Sequence, residues 1–307
     1  MKKKTAILLT VVLAFAAALY LLLPGLLVER AGVKERGAAG LAEKSLRIDD
    51  HEIVYLEGGQ GEPVLMLHGF AGNKDNWTRF AKFVTPTHLV VALDLPGFGK
   101  STYAEEGSYS MSDQAQRLDR FTDALGFKKF HVVGNSMGGH ISARYAIMFP
   151  GKVLSVGLFN TAGVMSPVPS ELFRRLLRGE RNPLLVTSAE DFDELVKFLF
   201  VQPPDIPWVV KGYLVQEALH HKASNSRIFK QISGEVGAME PDLGKINART
   251  LVLWGDSDRV LDVTSVQVLE KGLPRCTSII MKECGHVPMI ERPEETAGHY
   301  LTFLKGR

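Results

Sequence analysis

The stretch Lys129–Tyr145, KFHVVGNSMGGHISARY, decides the fold. It ends an apolar run with glycine, turns on a serine and restarts at helical spacing. FHVVG is a short β-branched run of the kind that forms a buried strand. In HISARYAIMF, Ile141, Tyr145 and Met148 fall on one face of a helix. The turn between them, Gly134-Asn135-Ser136-Met137-Gly138, reads G-x-S-x-G. In that motif a strained strand-to-helix turn lifts a serine hydroxyl over the end of a sheet. Glycines flank the serine because side chains there would clash.

Further strand-like runs lie on either side: EIVYLEG, PVLMLHG, HLVVALD, LSVGLFN, TLVLWGD and TSIIMKE. SDQAQRLDRFTDALG, between two of them, has an apolar stripe and stops on glycine, as a helix does. Strands alternating with helices predict an α/β protein with a mostly parallel sheet covered on both faces. Ligands of such sheets bind beyond the carboxyl ends of the strands, where the serine sits. From about 161 to 240 the alternation fails. ELFRRLLRGERNPLL, DFDELVKFLF, VQPPDIPWVV and GYLVQEALHH read as short helices of an inserted cap. Phe192, Phe198, Phe200 and Trp208 are candidates for an apolar entrance through it, or equally for its core.

A nucleophilic serine needs a base to take its proton and a carboxylate to hold that base in the right tautomer. After a G-x-S-x-G elbow the partners follow in the order acid, then histidine, each behind a later strand. Behind TLVLW come Asp256 and Asp258; behind TSIIM comes His286 in the glycine-marked loop ECGHVPMIERPEE. His299 belongs to the closing helix. LMLHGFAGNKDNW ends another strand, and in such folds that loop donates one backbone N–H to an oxyanion hole while the residue after the nucleophile donates the second. Those residues are Phe70 and Met137.

In this order, HGFAGNKDNW, LDLPGFGKS, GNSMGGHIS, WGDSDRVLD and ECGHVPMIERPEE resemble the α/β-hydrolase superfamily from about Leu46 to the end. Its branch of membrane-anchored monoacylglycerol lipases and related bacterial lipases is the most similar, with its hydrophobic N-terminus, helical cap and SMGG elbow. The resemblance implies an α/β-hydrolase fold with a cap and a Ser136-Asp258-His286 triad acting through an acyl-enzyme. It also implies hydrolysis of lipid esters such as monoacylglycerols, with no cofactor and no metal. The family spacing W-G-x-x-D selects Asp258 and leaves Asp256 to the turn. Aspartate-nucleophile branches, the haloalkane dehalogenases and epoxide hydrolases, are excluded by Ser136. Carbon-carbon bond hydrolases of aromatic ring-fission products share the GNSMGG and CGH motifs and form the alternative. A catalytically silent binding protein of the same fold is the third reading.

Composition fits one α/β domain: 307 residues, 45% hydrophobic, 23% charged, net charge +2. Without a basic stripe, nucleic acid is not expected as a partner. A small apolar ester is. Cys276 and Cys284 flank TSIIM, which when extended separates them by about 20 Å, too far for a disulfide. At the N-terminus three lysines precede an apolar run from about Ala6 to Val28, long enough to cross a bilayer. Residues 1–30 therefore read as a membrane anchor, the rival being a signal peptide cleaved after Ala14-Phe15-Ala16. Lys2, Lys3 and Lys4 favour a cytoplasmic N-terminus and an extracytoplasmic catalytic domain, periplasmic in a bacterium; Arg30, Lys34 and Arg36 weigh against this. Ala31–Ser45 reads as a polar stalk, and 46–307 as the hydrolase domain.

Overall fold

The computed structural model describes residues 24–306. Among them eight strands form one sheet in the order β1-β2-β4-β3-β5-β6-β7-β8. They are β1 Ala42–Ile48, β2 His51–Gly58, β3 Pro63–Leu67, β4 Leu89–Leu93, β5 Phe130–Asn135, β6 Val153–Phe159, β7 Arg249–Gly255 and β8 Cys276–Met281. The β1–β2 hairpin pairs antiparallel, and β2 pairs antiparallel with β4. From β4 to β8 every pairing is parallel. The serine, acid and histidine loops thus leave the same edge of the sheet.

Strand periodicity divides the apolar residues between two cores. Leu65 and Leu67 of β3 join the face covered by α3 Met111–Ala124 and α4 Met137–Met148; Val64 and Met66 join the opposite face, covered by α2 Thr78–Val84 and the C-terminal helix Pro293–Lys305. Ile141 and Tyr145 of α4 are fully buried, and Met148 packs at the edge of that core.

Between β6 and β7 four helices leave the sheet: α5 Glu171–Leu177, α6 Ala189–Leu199, α7 Trp208–His220 and α8 Lys222–Ile232. Ser170 and Ser188 cap α5 and α6, accepting from the N–H groups of Phe173 and Asp191. VQPPDIPWVV is not one helix. Pro203, Pro204 and Pro207 keep its first half extended, and α7 starts only at Trp208.

The N-terminal region differs from the expected stalk. Residues 24–38 form a helix, α1, and Ala42 already begins β1, so Ala31–Ser45 is structured and packed. Arg36, Ala39 and Leu41 are buried. The Arg36 guanidinium reaches Asp75 with two hydrogen bonds, 2.6 Å from Nε and 2.7 Å from Nη2, and lies 3.2 Å from Glu43. Lys74, also buried, pairs with Glu43 at 3.2 Å and with the fully buried Asp94 at 2.8 Å. Most residues of this segment are exposed, as polar composition implies, but Arg36 is buried because Asp75, distant in sequence, meets it, which composition does not reveal. The expected anchor lies largely outside the described residues; among them no helix is long and apolar enough to cross a membrane.

Candidate active site

Ser136 joins β5 to α4 with φ 56° and ψ −118°, a conformation non-glycine residues adopt only under constraint. The constraints are visible. Ser136 N–H donates to Phe159 O at 3.0 Å, and Ser136 O accepts from Ala162 N–H at 3.0 Å. A Cβ on Gly138 would lie 2.2 Å from Leu67 O, and one on Gly134 would lie 2.1 Å from Gly138 O. Only glycine at both positions lets the helix start so close to β3 and β5.

The hydroxyl faces a cavity of about 290 Å³ between sheet and cap, lined mainly by apolar side chains including Phe70, Met111, Leu172, Phe229 and Leu261. The proposed aromatic entrance is corrected here. Phe192, Phe198, Phe200 and Trp208 do not line this cavity. Phe198 is buried against Leu172 and Val260, with the Arg175 and Arg259 guanidinium groups over its ring, and Trp208 is exposed away from it.

His286 Nδ1 lies 2.8 Å from Asp258 Oδ2, both groups buried. Asp258 Oδ1 accepts from the N–H groups of Val260 and Leu261 at 2.8 and 3.0 Å, and Oδ2 accepts from the Asn160 amide at 2.8 Å. Four donors around it hold this carboxylate in one orientation. Asp256 faces elsewhere, accepting from Glu283 N–H at 2.9 Å and from Ser257 Oγ. Asn135, next to Ser136 in the chain, donates to His286 O at 2.9 Å, and His286 N–H donates to Leu199 O at 2.8 Å. The histidine loop is thereby fastened to the serine strand and to the end of α6. Among the described residues Ser136 Oγ has no hydrogen-bond partner.

Phe70 and Met137 lie beside the serine. A Cβ on Gly69 would stand 3.2 Å from Ser136 Cβ, so the loop after β3 crosses directly over it. Met137 is the first residue of α4, where N–H groups have no partner within the helix. His68 braces this loop. Its Nε2 accepts from Leu95 N–H at 2.9 Å, which leaves Nδ1–H to donate to Gly69 O at 2.7 Å. Burial pushes its pKa down, keeping the ring neutral. Asp94, the residue before Leu95, holds the other end by accepting from Lys74 N–H and Nζ.

Three contributors carried no readable motif. Asn135 and Asn160 are single amides at strand ends, and Arg259, beside Asp258, clamps Glu171 of the cap at 2.6 and 2.7 Å. His299 is on the C-terminal helix, 3.8 Å from Glu295 and away from the site. Both cysteines are free thiols, with burial pushing Cys276 up to about 11 and Cys284 to about 12.

Residues 62–293 match the family model of the alpha/beta hydrolase fold. Lipase 3 of Moraxella sp. (strain TA144) is 40% identical over 89% of this chain and 87% of its own. The monoacylglycerol lipase abhd6-B of Xenopus laevis is 31% identical over 97% of this chain and 92% of its own. A crystal structure described as a membrane phospholipase A, a bacterial virulence factor, superposes with a TM-score of 0.94 at 48% identity, covering 99% of this chain and 98% of that one.

Proposed function

Because the chain belongs to the α/β-hydrolase family and is a hydrolase of carboxylic esters, we propose that it cleaves lipid esters, monoacylglycerols foremost, with Ser136, His286 and Asp258 as its triad. The observation that carries this reading is the apolar cavity opening onto a strained serine, whose chain neighbour Asn135 is hydrogen-bonded to the loop of a buried Asp258–His286 pair. An acyl chain fills such a cavity by displacing water from apolar surface. The lipase and monoacylglycerol lipase relatives support the same substrate class.

In the proposed reaction the bound ester brings Ser136 Oγ and His286 Nε2 together, since such contacts tighten only in the substrate complex. Oγ attacks the carbonyl carbon while Nε2 takes the hydroxyl proton, and Asp258 stabilises the imidazolium through Nδ1–H. The carbonyl oxygen, now negative, receives the N–H groups of Phe70 and Met137. Collapse breaks the carbon–oxygen bond, His286 returns the proton to the leaving alcohol, and an acyl-enzyme remains. Water repeats the sequence and releases the fatty acid.

The apolar run Ala6–Val28 supports a membrane anchor, which would hold the cap near its lipid substrate at high effective concentration. The likeness to a membrane phospholipase A supports the same placement. The domain boundaries we propose are an anchor in residues 1–30 and a hydrolase domain carrying a cap at about 161–240, with the intervening segment packed onto that domain.

The test is labelling by a fluorophosphonate probe, with and without Ser136→Ala, alongside a panel of p-nitrophenyl esters, monoacylglycerols and a ring-fission dienoate. Labelling lost in Ser136→Ala and turnover of monoacylglycerol support the reading. Turnover of the dienoate alone would replace it, and an unlabelled, inactive protein would indicate a silent binding fold.

A further inference from the structure

His140 follows Ser136 by four residues on α4, is 4% exposed and lines the same cavity. Among the described residues neither of its ring nitrogens meets a hydrogen-bond partner, and neither is sealed off from the cavity. Two other buried histidines have partners, whereas His51 Nε2, like His140, has none but lies outside the cavity lining. His68 has Gly69 O and Leu95 N–H, and His131 Nδ1 has Ser155 Oγ at 2.8 Å. The backbone is also shaped around the His140 ring. Gly163, at φ 98°, passes so close that a Cβ there would stand 2.8 Å from it, a conformation and a distance that only glycine tolerates.

Burial, with the Arg144 charge adding to it, pushes the pKa of His140 down to about 4. At neutral pH the ring is therefore an uncharged donor–acceptor pair. An unpaired polar ring in an apolar cavity is costly, and a ligand group that satisfies it recovers that cost. The lining holds one carboxylate, Glu235, already accepting from Met111 N–H at 3.1 Å, and no lysine or arginine. An uncharged hydroxyl, which both donates and accepts, fits this setting better than an anionic headgroup. Residues 136 and 140 are one helical turn apart, about 6 Å along the axis. A glycerol hydroxyl lies within that reach of the ester carbon.

We propose that His140 is a specificity-determining residue whose imidazole hydrogen-bonds a free hydroxyl on the alcohol part of the bound ester. This rests on the ester-hydrolase reading above. It also gives the cavity a direction: the alcohol side of the ester points toward α4 and Gly163, and the acyl chain toward the apolar side chains under the cap.

The experiment compares monolauroylglycerol with methyl laurate, which share an acyl chain and differ in the hydroxyls, on full-length protein and on His140→Phe, His140→Leu and His140→Asn. The two apolar variants should lower the ratio of kcat/KM for monolauroylglycerol to that for methyl laurate by about tenfold, the size of one neutral hydrogen bond. Methyl laurate turnover should stay within about twofold of wild type, and His140→Asn should recover part of the ratio. Equal losses on both esters, or an unchanged ratio in any folded apolar variant, overturn the inference while leaving the hydrolase reading in place. If only His140→Asn folds, a ratio unchanged from wild type overturns it, and a lowered ratio with methyl laurate turnover kept supports it. Wild-type protein that cleaves neither ester removes both.

Discussion

Asn160 donates its amide to Asp258 Oδ2 over 2.8 Å, onto the same oxygen that faces His286 Nδ1. The backbone of Asn160 is held at φ 43° immediately after β6, so the fold places this amide deliberately close to the carboxylate. It steers the acid without touching substrate. Replacing it with glycine keeps the positive φ and removes only the amide. Hydrogen bonds to charged groups contribute about 1.5–3 kcal/mol, so Asn160→Gly should lower kcat by roughly tenfold or more, with KM little changed and the melting curve still cooperative. Steady-state kinetics on a p-nitrophenyl ester checks this. Wild-type kcat would show that Val260 and Leu261 N–H suffice to orient Asp258.

Ser136→Ala, His286→Ala and Asp258→Asn should each lower kcat by several orders of magnitude. Because such residues act as one unit, a double variant should be scarcely worse than the weakest single. Asp256→Asn is the control, since its carboxylate serves the Glu283 turn. Activity retained in Asp258→Asn and lost in Asp256→Asn would reverse the assignment.

Removing the N-terminus should have two different outcomes depending on the cut. A chain starting at residue 24 keeps α1, Arg36 and β1 and should fold and hydrolyse short esters. One starting at Leu46 loses Arg36, Glu43 and half of β1, leaving Asp75 and the buried Lys74 short of partners. Breaking a buried pair costs about 3–5 kcal/mol, so its Tm should fall by on the order of 10 °C, or the chain should fail to fold. Thermal unfolding of the two proteins side by side decides it. Equal Tm values would show that the network contributes nothing.

Glu171 joins the cap to the acid loop, and its hydrogen bonds to Arg259 and then Arg175 lower its pKa to about 2. A carboxyl depressed on folding stabilises the native state above its ordinary value near 4.5 and loses that contribution as pH falls toward 2. The stability difference between wild type and Glu171→Gln should therefore be constant above about pH 5 and shrink to nothing near pH 2. Urea titrations across that range measure it. A difference that grows on acidification would contradict the clamp.

Much of this was legible before any coordinates. The elbow around Ser136, the loops carrying His286 and Phe70 and the mostly parallel sheet rest on local rules: glycine where backbones meet, apolar runs of strand length, turns at strand ends. These are properties of neighbours in sequence, and β5 and α4 formed where Lys129–Tyr145 placed them. What failed was of another kind. Ala31–Ser45 looked like a stalk because its charges are polar in isolation; Arg36 becomes burial-compatible only once Asp75, 39 positions along the chain, meets it. The cap aromatics were left between entrance and core because a helix's apolar face does not say which neighbour it meets, and Phe198 met Leu172 and Val260 in the core. Asn160 carries no signature, and Asn135 and His140 sit inside the elbow motif without a role readable from it. An amide or an imidazole has the same chemistry anywhere in a chain, and only the folded backbone decides whether it reaches a carboxylate, a carbonyl or an open cavity.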